Sequence, residues 1–114
     1  MKTTKIIILG LGRLGQRFYT NMIDEKQEAC KIIAVYDQNI ENPYIDDMVE
    51  HGIQFFPKLE DAMRQLGSQA DIIMDTTYCQ NLTSAIQNLL IETQNDHTVL
   101  VSMVDYLKQK NDYA

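Results

Sequence analysis

Apolar positions along the chain follow two periods. Runs of consecutive apolar, largely β-branched residues recur at Ile6–Leu9, Lys31–Asp37, Ile53–Phe56, Asp71–Asp75 and Thr98–Ser102. A parallel strand covered on both faces has no polar side, so such runs read as buried strands. Between them the apolar residues move to a spacing of three or four. Leu11, Leu14, Phe18 and Met22 predict a helix from about Arg13 to Asp24. Ile45, Met48 and Val49 predict a short one over Tyr44–His51, opened by Pro43 and stopped by Gly52. Leu59, Ala62, Met63 and Leu66 predict a helix over Lys58–Leu66, closed by Gly67. Leu82, Ala85, Ile86, Leu89 and Leu90 form the clearest amphipathic stripe, which Asn95 and Asp96 break, and a weakly helical tail runs from Met103 to Lys110.

The first strand passes straight into Gly10-Leu11-Gly12-Arg13-Leu14-Gly15, a G-x-G-x-x-G spacing at the point where strand gives way to helix. Each glycine has a physical task there. Gly10 permits a tight turn, Gly12 allows a pyrophosphate to approach the backbone, and Gly15 lets the helix pack closely. The helix N-terminus adds free N–H groups and a partial positive charge. The second strand ends in Asp37, about 20 residues beyond Gly15, where an acid can accept hydrogen bonds from adenosine ribose hydroxyls. Arg13 either faces the diphosphate or is a surface arginine at the helix start. The following segment, Gln38–Pro43, contains no Arg or Lys to neutralise a 2′-phosphate, so NAD is favoured over NADP.

Strands alternating with helices imply an α/β fold. The expected architecture is a Rossmann-like open parallel sheet of about five strands in the order 3-2-1-4-5, with helices on both faces. In such sheets ligands lie beyond the carboxyl ends of the strands, which puts Gly10, Asp37 and Thr76 on one rim. Thr76 and Thr77 could offer hydroxyl and backbone donors to a ribose or nicotinamide, although threonines also cap helices.

Composition narrows the picture. The 114 residues fit a single domain, 1–114, without a separate substrate domain. A formal net charge of -6 argues against a nucleic-acid footprint. It does not argue against one dinucleotide, because backbone N–H groups can hold its phosphates. No apolar stretch approaches the ~20 residues that span a bilayer, and the N-terminal apolar run is too short for a signal peptide. Cys30 and Cys79 form no C-x-x-C pair, and a cytoplasmic protein with reduced thiols is the simplest reading. His51 and His97 lack partners at metal-ligand spacing, so no metal site is expected.

The residues also carry a resemblance. The glycine motif, Tyr36-Asp37, Gly52-Ile53-Gln54-Phe55-Phe56 leading to Leu59-Glu60-Asp61-Ala62, and Ala70-Asp71-Ile72-Ile73-Met74-Asp75-Thr76-Thr77 follow one another in order. This succession resembles the N-terminal NAD(P)-binding domain of dihydrodipicolinate reductase, homoserine and aspartate dehydrogenases, and glucose-fructose oxidoreductase-like enzymes. The resemblance implies nicotinamide-dinucleotide binding through Gly10, Gly12, Gly15 and Asp37, with Thr76 and Thr77 near the nicotinamide. It carries over no catalytic residue, since that group keeps its proton donors largely on a C-terminal domain absent from this sequence. The expectation is therefore the NAD(P)-binding domain of an oxidoreductase, stand-alone or a fragment. The alternative is a regulatory module that senses a dinucleotide or adenine nucleotide without catalysis. A methyltransferase, which also pairs a glycine turn with a strand-ending acid, is disfavoured by the G-x-G-x-x-G spacing and the absence of later strands. A truncated sheet further predicts self-association through the exposed edge of the fifth strand.

Overall fold

A computed structural model describes residues 3–25, 29–77, 79–103 and 105. The predicted tail helix and its cover over the sheet edge lie largely outside the described residues. Five parallel strands form one sheet in the order β3-β2-β1-β4-β5: β1 (Thr4–Leu9), β2 (Cys30–Tyr36), β3 (Gln54–Phe56), β4 (Ile72–Asp75) and β5 (Val99–Ser102). Four helices connect them: α1 (Arg13–Glu25), α2 (Ile45–Glu50), α3 (Leu59–Leu66) and α4 (Gln80–Glu92). The predicted order and alternation are those observed.

Strand β1 is the spine, because its side chains are buried on both faces. Ile6 and Ile8 join Leu11, Tyr19, Val35, Met48 and Ile53 in a core on the α1/α2 side. Ile7 and Leu9 join Ala34, Tyr36, Met63, Ile73 and Ile86 in a second core against α3 and α4. Ile7, Ile8, Leu9, Val35, Ile73 and Ile86 are fully shielded from solvent. Burying each such side chain contributes about 1.5–3 kcal/mol, which is why this strand and its neighbours fix the sheet. The two cores confirm helices on both faces.

The register contains one irregularity. Ile6 pairs with Ile32 but Ile7 pairs with Ala34, so Ile33 is an extra residue in β2. Ile33 and Ala34 consequently both pack towards the α3/α4 core. Beyond the bulge the faces are matched again: Val35 lies beside Ile8 on one side, and Tyr36 beside Leu9 on the other.

One local expectation is corrected. Val49, expected on the buried face of α2, is 68 % exposed; the six-residue helix turns only Met48 fully inward. Gly67 follows the last residue of α3 and closes it, as expected. It has φ -54° and leads into a 3-10 turn, Gly67–Gln69, while its carbonyl accepts from Asn95 Nδ2 and Thr98 Oγ1, each at 3.1 Å. Gly52 does adopt the left-handed conformation expected of it, with φ +72°. Helix α4 runs on to Glu92 and closes through Gln94 at φ 55°, with Asn95 N–H donating to the Leu90 carbonyl at 2.8 Å. Among the described residues, no helix is long and apolar enough to cross a membrane.

The predicted stripe on α1 omits its most buried member. Tyr19 is 1 % exposed, packs edge-on against Tyr44, and donates its hydroxyl to Asp47 Oδ2 at 2.6 Å, tying α1 to α2. Burial and then the Asp47 hydrogen bond push the Tyr19 hydroxyl above the ordinary tyrosine value of 10.0. A raised folded-state pKa stabilises the fold fully below the unfolded value and ceases to do so as pH rises through the folded one. Urea unfolding in alkaline buffer should therefore show stability falling above about pH 10. In Tyr19→Phe this part of the alkaline loss should vanish, with about 1 kcal/mol already gone at neutral pH.

Candidate dinucleotide site

The winding of the sheet reverses between β1 and β4, and the cleft lies where the loops after these strands diverge. Its volume is about 460 Å³, within the range of small-molecule sites. One end is lined by Tyr36, Asp37 and Gln38, the middle by Gly10–Leu14, and the other end by Thr76, Thr77, Cys79 and Leu82. The structure thus brings together Gly10, Leu11, Gly12, Arg13, Leu14, Asp37, Thr76 and Thr77 along one cleft. Gly15 is buried behind it.

The three glycines meet different surroundings. Gly10 has φ +96°, and a Cβ there would stand 2.8 Å from Thr77 Cγ2. A Cβ on Gly15 would lie 2.0 Å from the Gly10 carbonyl oxygen and 2.7 Å from Thr76 Oγ1, so the first turn of α1 closes directly on the loop that precedes it. A Cβ on Gly12 would meet nothing within 4 Å. That is open space at the mouth of the cleft, which a side chain would fill. Gly12 also precedes α1, where its carbonyl accepts from Gln16 N–H at 2.9 Å. Having no side chain, it cannot cap the first-turn amides of Arg13, Leu14 and Gly15. Gln16 braces the loop from behind, its Nε2 donating to the Leu11 carbonyl at 2.9 Å.

Asp37 is fixed by both loops that meet at its end of the cleft. Its Oδ2 accepts from Leu11 N–H at 2.6 Å and its Oδ1 from Asn39 N–H at 2.8 Å. A carboxylate has about four lone-pair positions, so two such bonds leave acceptor capacity for a ligand. Arg13 is the single cation among the lining residues and is exposed.

The two threonines differ. Thr76 is 5 % exposed, and its hydroxyl lies 2.9 Å from the Leu9 carbonyl and 2.8 Å from that of Gly10, bracing the glycine turn from below. Thr77 is half-buried and donates both its N–H and its hydroxyl to Asp75 Oδ1, at 2.9 and 2.7 Å. Sequence reasoning singled out neither Asp75 nor Thr83 for the site. The available signal was an acid at the end of a wholly apolar strand, where a buried charge needs several donors. Cys79 is exposed and sits on the cleft wall as the residue before α4, while Cys30 opens β2. His51 and His97 each contact a backbone carbonyl at 2.8 Å, and no cluster of three or more metal-ligating side chains occurs among the described residues.

An open five-stranded parallel sheet with a glycine turn facing a strand-ending acid defines the Rossmann-like class of dinucleotide-binding folds. The chain matches no protein-family profile and no curated protein by sequence. Solved structures are similar in fold. The WlbA dehydrogenase from Chromobacterium violaceum, in complex with NADH and UDP-GlcNAcA, superposes with TM-score 0.58 at 12% identity, over 89% of this chain and 35% of that one. Homoserine dehydrogenase from S. aureus gives 0.55 at 12% identity, over 90% of this chain and 33% of that one. UDP-D-quinovosamine 4-dehydrogenase from Vibrio fischeri gives 0.55 at 17% identity, over 96% and 87%. The chain therefore spans about a third of the length of the first two dehydrogenases. Homoserine dehydrogenase is one of the enzymes whose N-terminal domain the sequence resembles, and the likeness to these structures is one of fold.

The glycine geometry makes a sharp contrast testable. Gly15→Ala should cost about 3 kcal/mol or more by urea unfolding, because its methyl meets backbone rather than a mobile side chain. Gly12→Ala, pointing into open space, should stay within about 1 kcal/mol of the parent.

Proposed function

We propose that residues 1–114 form the NAD-binding unit of an oxidoreductase, with substrate-handling groups supplied from outside this sequence. The observation that carries this reading is the cleft itself. Room at Gly12, the N-terminus of α1 and the anchored carboxylate of Asp37 fall in the order that a diphosphate flanked by a ribose requires. The diphosphate would sit over Gly12 with Arg13 beside it, the adenosine ribose would donate to Asp37, and the nicotinamide half would lie towards Thr77. When bound, the nicotinamide supplies hydride transfer; this chain's residues bind it, orient it and leave one side of the cleft open to a substrate.

NAD is favoured over NADP for an electrostatic reason. A 2′-phosphate would approach the Asp37 carboxylate, and Gln38–Pro43 offers no Arg or Lys in compensation. Dehydrogenase neighbours crystallised with NADH or NAD(H) support a nicotinamide cofactor.

Calorimetric titration with NAD, NADH and NADP is the direct test. NAD or NADH should bind at least about tenfold more tightly than NADP, the free-energy equivalent of one charge-assisted hydrogen bond or more. Asp37→Ala should weaken NAD and narrow that gap, and Gly12→Val should abolish binding by filling the diphosphate space. No binding of any of the three would overturn the reading. We also propose self-association at the outer edge of β5, which pairs only with β4 among the described residues and leaves Val99 58 % exposed. Ultracentrifugation at tens of micromolar should show dimer, and monomer alone would remove this idea.

A further inference from the structure

Asp75 is a carboxylate at the end of β4, 2 % exposed, with no cation at ion-pair distance among the described residues. Buried charges are ordinarily paired, because desolvation is costly. Here donors take the place of a cation. Oδ1 accepts both the N–H and the hydroxyl of Thr77, and Oδ2 accepts the hydroxyl of Thr83 on α4 at 3.0 Å. An apolar residue would fill this position without the desolvation cost, as Ile73 does two residues earlier on the same face. The carboxylate does something an apolar side chain would not.

A threonine hydroxyl has one proton and two lone pairs. In Thr77 the proton is directed at Asp75, at an ordinary O–H···O hydrogen-bond distance of 2.7 Å. The Thr77 N–H is bound to the same carboxylate oxygen, so backbone and side chain are held to Asp75 together. Cys79 N–H takes one lone pair loosely, at 3.4 Å. One lone pair is left, on a residue that lines the cleft.

We propose that Asp75 fixes Thr77 as a hydrogen-bond acceptor, so that this end of the cleft selects a ligand group that donates over one that only accepts. Resting on the dinucleotide reading above, the group selected is the carboxamide NH2 of nicotinamide, and the group rejected is the carboxylate of nicotinate. Rejection has two parts: oxygen would face oxygen, and the negative Asp75 stands directly behind. Asp75 is a positioning residue, acting through Thr77, whose N–H and hydroxyl both hold its Oδ1; Thr83 satisfies the second oxygen of the buried carboxylate.

The test is calorimetry of the full chain with NAD and with nicotinic acid adenine dinucleotide, which differ only in that group. NAD should bind at least about tenfold more tightly. Thr77→Ser, which keeps the hydroxyl, should retain the ratio. Thr77→Val and Asp75→Leu should each bring it to within about threefold, Asp75→Leu by removing the acceptor and so freeing the Thr77 hydroxyl proton to turn towards the ligand. Thr83→Val should lower the urea midpoint and leave the ratio in place, whereas a purely structural network would move stability alone in every variant. Thr77→Val keeps the proposal testable if Asp75→Leu does not fold. Equal binding of the two dinucleotides by the parent, or a ratio preserved in Thr77→Val, overturns this inference alone. Binding of neither overturns it together with the dinucleotide reading.

Discussion

The approach of Gly15 to the carbonyl of Gly10 is the constraint on which the cleft depends. At that separation no side chain fits, and the backbone of α1 closes onto the turn that leads into it. Thr76 secures the same point from β4, its hydroxyl shared between the Leu9 and Gly10 carbonyls. Loop, helix and two central strands are thereby joined through backbone and one small polar side chain. Asp37 completes it from the far side of β1 through its bond to Leu11 N–H. The carboxylate is thus part of the loop's own scaffold as well as a candidate ligand group.

This explains the division of labour along the rim. Residues that hold the loop in shape turn their polar atoms inwards, as Thr76 does, and residues available to a ligand keep unused hydrogen-bonding capacity, as Asp37 and Thr77 do. Two adjacent threonines just beyond the end of β4 therefore serve different ends. Asp75 faces the α3/α4 side, Thr76 the glycine turn, and Thr77 the cleft.

Much of this was legible in the sequence. Five apolar runs separated by helical stripes revealed the strands, because burial on both faces leaves an unbroken hydrophobic signature, and their alternation with helices after a glycine-rich first turn pointed to the order 3-2-1-4-5. The glycine spacing and Asp37 marked the rim. What escaped notice depends on partners distant in the chain. Tyr19 lies beside the stripe of Leu14, Phe18 and Met22, and its burial depends on an acceptor, Asp47, that stands 28 residues later in the chain. Asp75 looked like a strand-ending acid until Thr77 and Thr83 were seen to converge on it. Val49 fits a helical stripe, but α2 is too short and too shallowly docked to bury more than one residue fully. Gly67 is the helix stop it looked like, and its carbonyl also anchors the turn before β5 through Asn95 and Thr98.

The extra residue in β2 has a consequence for how the chain tolerates change in length. Below the bulge Ile32 is in phase with Ile6, and above it Ala34 is in phase with Ile7. Both halves of the strand are aligned with β1 independently, so Ile33 is a spare unit of chain between two fixed registers. Removing one residue there would shorten β2 without displacing either end, and Asp37 would keep its station opposite the glycine turn. Most interior strands have no such slack, since losing a residue turns every later side chain to the wrong face. The second strand of this sheet therefore carries a length reserve, at the one place where drift would separate the acid from the loop it holds.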